Sequence, residues 1–314
     1  MPEDVHPQIQ TVLDTMAALN LPKLEAGSPY DARALMEGMA EARRESLPPP
    51  HVAEMRNTTT GPGFGHVPVR IYRPNPDAIS PAIIFFHGGG FVIGSLESYD
   101  AVARSLALKC NATVVSVDYR MAPEHVFPAA GQDCFDAVRW MCANANSLKI
   151  DPAKLVVCGD SAGGNLAAVA ALMARDAGVP IAAQVLIYPT IDTRFDTASY
   201  ERYATGYGAL EATTVEWFMD HYLPDKAMRE DWRASPKNAP SHADLPPALI
   251  ITAECDVLRD DGVAYTELLT AANVATEYVE YAGMIHGFFN YLGLADDAEA
   301  AHDRVAAFLK SRFN

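Results

Sequence analysis

The sequence predicts an α/β fold with a mostly parallel central sheet, helices on both faces and a helical cap. Strand-like apolar runs alternate with amphipathic helical segments along most of the 314 residues. Runs such as residues 81–86 are continuously apolar, which is typical of parallel strands that are buried on both faces. The alternation stops between about residues 190 and 246, where aromatic residues and prolines occur without a clear strand. This interruption predicts an inserted cap.

Strands and helices follow one another in a regular order along the chain. Residues 67–72 alternate apolar and polar, which predicts a half-buried strand, and the later strands are more apolar. A strand–helix–strand order with right-handed crossovers is typical of a doubly wound sheet. The predicted strands are residues 67–72, 81–86, 112–117, 155–158, 184–188, 248–253 and 276–281, and the predicted helices are residues 99–110, 129–145, 165–177, 260–272 and 299–313.

The domain prediction is one sheet domain with a cap made of two segments. Residues 1–50 read as helical and end in three consecutive prolines, which must break a helix. They form the predicted N-terminal part of the cap, and residues 190–246 form the predicted insertion. The catalytic core is then expected to comprise residues 51–189 and 247–314.

The composition favours a soluble protein that binds a small molecule. The net charge of −16 disfavours binding to nucleic acids or to anionic membrane surfaces. The five cysteines lack metal-type pairing such as Cys-x-x-Cys, so we expect no metal site. The first ten residues lack the pattern of a signal peptide, and no apolar stretch approaches the roughly 18–20 residues that span a bilayer. A cytoplasmic location is therefore predicted, without stable membrane association.

The sequence Gly159-Asp160-Ser161-Ala162-Gly163 directly follows an apolar strand and precedes a helix. This is the G-x-S-x-G pattern of a nucleophilic serine, in the structural context that it requires. A sharp turn there would present the Ser161 hydroxyl at the carboxyl edge of the sheet. The start of the following helix would direct a backbone N–H group toward the same point. A turn that merely packs a strand against a helix is the alternative.

The sequence His87-Gly88-Gly89-Gly90-Phe91 follows an earlier apolar strand. Three glycines allow backbone N–H groups to face one point without obstruction by side chains. Acyl transfer needs such donors where the carbonyl oxygen becomes an oxyanion. A phosphate-binding loop is the competing interpretation, but neither of the usual phosphate-loop patterns is present.

A nucleophilic serine also needs a base and an acid that orients it. His286 follows the last predicted strand, so it is expected at the same edge of the sheet as Ser161. Asp256 lies in the turn after the preceding strand, whereas Asp260 looks like the first turn of the next helix. Glu254 is the main rival for the acid. The order Ser, Asp, His is the one used by folds with this serine motif.

These motifs together resemble the bacterial hormone-sensitive-lipase family (family IV) of carboxylesterases, within the α/β-hydrolase superfamily. The resemblance implies an α/β-hydrolase fold with a helical cap and no cofactor. It also implies catalytic roles for Ser161, Asp256 and His286. The motifs that carry it lie at residues 87–91, 119–125, 127–129, 159–164, 256–260 and 286–288.

The same resemblance implies roles for residues around the triad. Glu124, which would otherwise be interpreted as part of an exposed turn, corresponds to a residue that braces the site. Where the family commonly has Asp-Pro-Leu, this chain has Asp256-Val257-Leu258, which should leave the carboxylate unaffected. The backbone N–H groups of Gly89, Gly90 and Ala162 are the implied oxyanion donors, and His87, Gly88, Asp160 and Glu124 are the supporting residues.

The predicted function is hydrolysis of short- to medium-chain carboxylic esters through an acyl-enzyme. Aromatic residues of the insertion would line an apolar pocket of limited size, which favours such acyl groups. Two alternatives are a non-catalytic receptor, which the presence of His286 disfavours, and an amidase, lactonase or carbamate hydrolase with the same triad. A homodimer through the last strand and helix is suggested by analogy alone.

Overall fold

The computed structural model describes residues 4–208 and 210–313, so Pro2 and Glu3 of the predicted N-terminal segment lie outside the described residues. The strands form one sheet with the spatial order β1-β2-β4-β3-β5-β6-β7-β8. Strand β2 is antiparallel to both β1 and β4, and all other neighbours are parallel. The strands are β1 (Glu54–Thr59), β2 (Pro68–Arg73), β3 (Ser80–Phe86), β4 (Thr113–Val117), β5 (Ile150–Asp160), β6 (Ala183–Ile187), β7 (Ala248–Cys255) and β8 (Thr276–Ile285).

Helices cover both faces of this sheet. Strand β4 lies on one side of β3 and β5 lies on the other, so right-handed crossovers place the two connecting helices on opposite faces. Helix α3 packs against α10, and α4 packs against α6. The helices are α1 (Pro7–Ala18), α2 (Pro29–Ser46), α3 (Asp100–Cys110), α4 (Ala129–Ala143), α5 (Ala145–Leu148), α6 (Ala162–Asp176), α7 (Ala198–Arg202), α8 (Ala212–Tyr222), α9 (Arg259–Ala271) and α10 (Asp296–Phe313).

The predicted fold class is confirmed. Strands β5 and β8 are longer than predicted, and β1 and β2 differ more deeply from the prediction. Strand β1 was not predicted, because its polar sequence has no apolar run. Strand β2 was predicted to be half-buried, yet every residue of it after Pro68 is buried. Arg70 can be buried there because its guanidinium donates to Asn57 Oδ1 at 2.7 Å and to Glu97 Oε1 at 2.5 Å.

The two segments predicted to form a cap both contain helices. Residues 4–50 contribute α1 and α2, and residues 190–246 contribute α7, α8 and short 3₁₀ turns. The segments contact each other, since Lys23 Nζ lies 2.7 Å from Glu211 Oε2. Glu25 also accepts hydrogen bonds of 3.0 Å from the hydroxyls of Thr213 and Thr214. Among the described residues, no helix combines the length and apolar character needed to cross a bilayer.

Candidate active site

The nucleophile turn separates the last residue of β5 from the first residue of α6. Ser161 occupies it with φ 56° and ψ −119°, a strained conformation for a residue other than glycine. A Cβ atom on Gly159 would lie 2.2 Å from the carbonyl oxygen of Gly163, and one on Gly163 would lie 1.9 Å from that of Phe86. Only glycine fits at both positions, so the strand and helix approach closely and the Ser161 hydroxyl is lifted above the sheet edge.

His286 and Asp256 reach Ser161 from the ends of β8 and β7, which are parallel neighbours. His286 Nε2 lies 2.8 Å from Ser161 Oγ, and His286 Nδ1 lies 2.7 Å from Asp256 Oδ2. A carboxylate only accepts, so Nδ1–H donates to Asp256 and Nε2 accepts the serine proton. Asp256 is buried, and its other oxygen accepts the N–H of Leu258 at 2.9 Å. This second bond fixes the carboxylate against the imidazole.

Glu254 and Asp260, the other two acidic residues considered as the partner of His286, bind other groups. Glu254 Oε2 accepts the backbone N–H of Gly283 at 2.8 Å, which connects β7 to β8 at the point where their register shifts. Asp260 lies in the first turn of α9, as expected, and accepts the N–H of Ser199 at 2.8 Å. Of the three acidic residues considered, the one that reaches His286 is Asp256.

The glycine loop after β3 adopts backbone conformations that other residues rarely accept. Gly89 has φ 118° and Gly90 has φ 59°. A Cβ on Gly89 would lie 2.2 Å from the carbonyl oxygen of Ile93, and one on Gly90 would lie 2.1 Å from the ring of Phe218. Within residues 4–208 and 210–313, the N–H groups of Gly89, Gly90 and Ala162 donate to no other protein group. They are free to bind an oxyanion.

Asp160 connects the nucleophile turn to this loop. Its Oδ1 accepts the N–H of Gly88 at 2.8 Å, and its Oδ2 accepts the hydroxyl of Tyr99 at 3.0 Å. A Cβ on Gly88 would lie 2.7 Å from Oδ2, so only glycine permits this approach. Complete burial raises the pKa of Asp160 to about 6. The hydroxyl of Tyr188, whose ring lies against His286, is 3.4 Å from the same carboxylate.

His87 is fully buried behind the glycine loop. Its ring stacks on Tyr119 with 4.4 Å between the ring centres, and its Nδ1 lies 2.8 Å from the carbonyl oxygen of Gly88. Burial lowers the pKa of His87 to about 4, so the imidazole is neutral at pH 7. The hydroxyl of Tyr119 donates to the His87 carbonyl at 2.7 Å. These contacts fix the chain where it leaves β3 and enters the loop.

Comparison with known proteins agrees with this arrangement. Residues 83–290 match the family defined by the α/β-hydrolase fold. The chain belongs to the α/β-hydrolase family. This result confirms the resemblance to the bacterial hormone-sensitive-lipase group that the motifs indicated.

Relatives of this α/β hydrolase have names that describe ester hydrolysis. The chain is 40% identical to the carboxylesterase NlhH of Mycobacterium tuberculosis, over 86% of this chain and 87% of that protein. It is 38% identical to an ethyl acetate hydrolase of Pseudomonas putida, over 86% and 83% of the two chains. Among solved structures, a hyperthermophilic esterase of the archaeon Pyrobaculum calidifontis is 40% identical, with a TM-score of 0.93 over 99% of both chains.

Glu124 of this hydrolase contacts the N-terminal cap. Its two carboxylate oxygens accept from the guanidinium of Arg33 at 2.6 and 2.8 Å. The hydrogen bonds from Arg33 lower the pKa of Glu124 to about 2. Arg33 in turn donates to the carbonyl of Val92, close to the glycine loop, at 2.7 Å. Glu124 is thus linked to the site through Arg33.

A small cavity adjoins Ser161 and Gly90 in the hydrolase. A larger cleft lies beside Arg202, Glu254 and Arg259, but Ser161 does not line it. The smaller cavity is the candidate substrate site, because Ser161 and Gly90 of the glycine loop line it. Its apolar wall is formed by Phe195, Leu210, Val215, Phe218, Met219 and Leu258.

Several residues of the hydrolase site were not predicted from the sequence. Tyr99 and Tyr188 bind Asp160 from separate loops, and neither lies in a pattern that indicates a partner. Phe218 was part of an aromatic-rich segment, and no signal singled it out as the ring that covers Gly90. Among the described residues, no group of three or more His, Cys, Asp or Glu side chains is arranged to hold a metal ion.

Proposed function

We propose that this α/β hydrolase is a serine carboxylesterase with Ser161 as nucleophile, His286 as general base and Asp256 as the orienting acid. The observation that carries the proposal is the unbroken chain of short contacts from Asp256 through His286 to Ser161 Oγ. A hydroxyl that is hydrogen-bonded to an imidazole, with the imidazole oriented by a buried carboxylate, is the arrangement that activates serine for acyl transfer.

The proposed reaction has two steps. His286 Nε2 accepts the hydroxyl proton while Ser161 Oγ attacks the ester carbonyl, and the carbonyl oxygen becomes an oxyanion. His286 then gives the proton to the departing alkoxide, which leaves an acyl-serine. Water, deprotonated by His286, attacks this acyl group. The bond between the acyl carbon and Ser161 Oγ then breaks, His286 returns the proton to Oγ, and the acid leaves. Throughout, Asp256 stabilises the imidazolium.

The oxyanion is proposed to accept from the N–H groups of Gly89, Gly90 and Ala162. Their lack of other acceptors in the described residues supports this role, because each is available to the substrate. Loss of one such donor costs about 2.7–4 kcal/mol of transition-state stabilisation in a well-studied protease. His87, Gly88, Asp160 and Glu124 are proposed to support these groups without touching the substrate.

The size of the cavity favours a short acyl group. The space beside Ser161 is narrow, because Phe218, Met219 and Leu258 close in on it. The wall opposite Ser161 is apolar, which suits an alkyl chain. One relative is an ethyl acetate hydrolase, in agreement with a small substrate. We therefore propose short- to medium-chain esters, ahead of amides, lactones and carbamates.

Other properties of the molecule stay proposals or predictions. Strand β8 lies at the edge of the sheet, so a homodimer through β8 and α10 is proposed, and light scattering after size-exclusion chromatography tests it. The cytoplasmic location and the lack of stable membrane association stay predictions.

The decisive test is turnover of p-nitrophenyl esters from acetate to laurate. We expect kcat/KM to peak at short chains, and Ser161→Ala to abolish turnover without unfolding. Asp256→Asn should lower kcat by orders of magnitude, because the imidazole loses its correct tautomer. Glu254→Gln is the matched control. Full activity in Ser161→Ala would refute the assignment of Ser161 as the nucleophile. The absence of turnover with every ester would refute the proposed esterase activity.

A further inference from the structure

Helix α2 lies on the core with little apolar burial. It is 18 residues long, and Pro29 and Ala32 are its only buried residues. A capping box between Ser28 and Asp31 stabilises the first turn of α2. It does not explain which part of the core the helix contacts. Its long-range contacts to the core are made largely by charged side chains, most extensively by Arg33 and Arg43.

Arg33 holds two loops on the oxyanion side of the site. Its Nε donates to the carbonyl of Val92 at 2.7 Å, and its Nη2 donates to the carbonyl of Ala122 at 2.7 Å. The N–H of Ala122 donates to the carbonyl of Phe91 at 2.9 Å, so these loops are already paired. Glu124 fixes the guanidinium with two further bonds. Arg33 therefore fixes the backbone that directly follows Gly89 and Gly90.

Arg43 holds the segment that follows His286. Its guanidinium donates to the carbonyl of Asn290 and, at 2.8 Å, to the carbonyl of Leu292. Asn290 ends the short turn that begins directly after Gly287, and its side-chain nitrogen lies 3.5 Å from Asp160. Arg43 is only partly exposed, and burial lowers its pKa.

One helix thus bridges the two halves of the reaction centre. Arg33 and Arg43 are ten residues apart, which corresponds to about 15 Å along a helix. At one end the helix holds the loop of the oxyanion donors, and at the other it holds the turn after the general base. The bonds go to backbone carbonyls, so they act on the position of the main chain itself.

We propose that Arg33 and Arg43 are positioning residues for ester hydrolysis, setting through α2 the distance between the oxyanion donors and the imidazole. The inference rests on the proposed function. Oxyanion donors and a base act together only when both are correctly placed relative to one carbonyl group. A misplacement of about 1 Å can lower the rate on the order of 100-fold.

A purely structural role makes a different prediction. If the arginines only attached the cap to the core, their loss would lower the melting temperature or weaken substrate binding. A positioning role lowers kcat, because the interactions affected are those made in the transition state. The split between kcat and KM therefore separates the two roles.

The test uses Arg33→Met and Arg43→Met in the 314-residue chain, with p-nitrophenyl acetate as substrate. We expect each change to lower kcat on the order of 10- to 100-fold, with KM changed less than threefold. Arg33→Lys should also lower kcat, because an ammonium cannot reproduce the forked geometry. Arg44→Met is the matched control, since Arg44 lies on the same helix but donates to the carbonyl of Glu97. It should retain kcat within twofold.

Activity is measured at a temperature where circular dichroism shows each variant to be folded. Unchanged kcat in both arginine variants would overturn the inference, and so would a loss confined to KM. An equal loss of kcat in Arg44→Met would also overturn it, because detachment of the helix would then suffice. These outcomes leave the proposed function intact, which fails only if Ser161→Ala stays active or no ester is turned over.

Discussion

At the residue scale, Asp160 shows how one buried carboxylate organises several chain segments. It precedes Ser161 in the sequence, yet its bonds go to Gly88 in the glycine loop and to Tyr99 before α3. Both donors approach within 3.0 Å and reach different oxygens of the carboxylate. The carboxylate of Asp160 therefore fixes the position of the glycine loop relative to Ser161.

We expect Asp160→Asn to lower kcat on the order of 10-fold or more. An amide has one accepting oxygen, so either the N–H of Gly88 or the hydroxyl of Tyr99 would face an –NH₂ group. Steady-state kinetics with p-nitrophenyl acetate measures the effect. Asp176→Asn is the control, because Asp176 ends α6 on the surface and pairs with the adjacent Arg175. A kcat of Asp160→Asn equal to that of the control would contradict the role.

At the element scale, Asp261 joins helix α9 to the segment that follows β6. Its Oδ2 accepts the N–H of Ile191 at 2.7 Å and the N–H of Asp192 at 3.0 Å. The preceding residue, Thr190, lines the cavity next to Ser161. Burial raises the pKa of Asp261 to about 7, because the loss of hydration outweighs the two N–H bonds.

This shift predicts a pH dependence of folding. The pKa of Asp261 is higher in the folded state than its ordinary value of 3.8, so the folded protein binds more protons than the unfolded chain between pH 3.8 and about 7. Its contribution to stability is fully present below about pH 4 and is lost as the pH rises to about 7. Wild type should therefore lose stability relative to Asp261→Asn over this range, by at most about 4 kcal/mol at 1.4 kcal/mol per pKa unit.

Urea denaturation of wild type and Asp261→Asn between pH 5 and pH 8 measures this difference. The comparison of the two proteins removes the contribution of the other titrating groups. A difference in unfolding free energy that stays constant with pH would contradict the raised pKa.

The sequence predicts those elements that depend on local patterns of residues. It misses those that depend on contacts with distant parts of the chain. The central strands are predictable because burial on both faces requires apolar runs, and the site at their carboxyl ends follows from parallel pairing. Strand β1, by contrast, is a polar edge strand whose pairing with β2 stabilises it. The contacts of Arg33 and Arg43 could not be predicted from local patterns either. The carbonyls that Arg43 binds, for example, come 247 and 249 residues later in the chain.

At the scale of the whole molecule, the two segments proposed to form the cap are distant in the sequence but contact each other. Lys23 and Glu25 of the N-terminal segment bind Glu211, Thr213 and Thr214 at the start of α8. Helix α8 carries Phe218, which packs on Gly90 and lines the cavity. Movement of α8 away from Ser161 must therefore disturb the N-terminal contacts as well.

This coupling predicts a joint response to a ligand. Covalent inactivation of Ser161 by a short alkyl phosphonate fills the cavity and adds contacts to α8. We expect slower amide hydrogen exchange in α8 and also in residues 19–28, with little change in α4 on the core. Hydrogen-exchange mass spectrometry before and after inactivation measures it. Protection of α8 without any change in residues 19–28 would show that the segments move separately.

The bonds between helix α2 and the end of the chain have a consequence for synthesis on the ribosome. Arg43 is translated 247 and 249 residues before its acceptor carbonyls on Asn290 and Leu292. Ser161 and the glycine loop also emerge well before His286. In nascent chains that stop short of residue 290, the Arg33 end of α2 has its acceptors on Val92, Ala122 and Glu124, whereas the Arg43 end lacks both of its acceptors. The contact of Ser161 with His286 and the attachment of the second end of α2 therefore both form late, and within a few residues of each other in the order of synthesis.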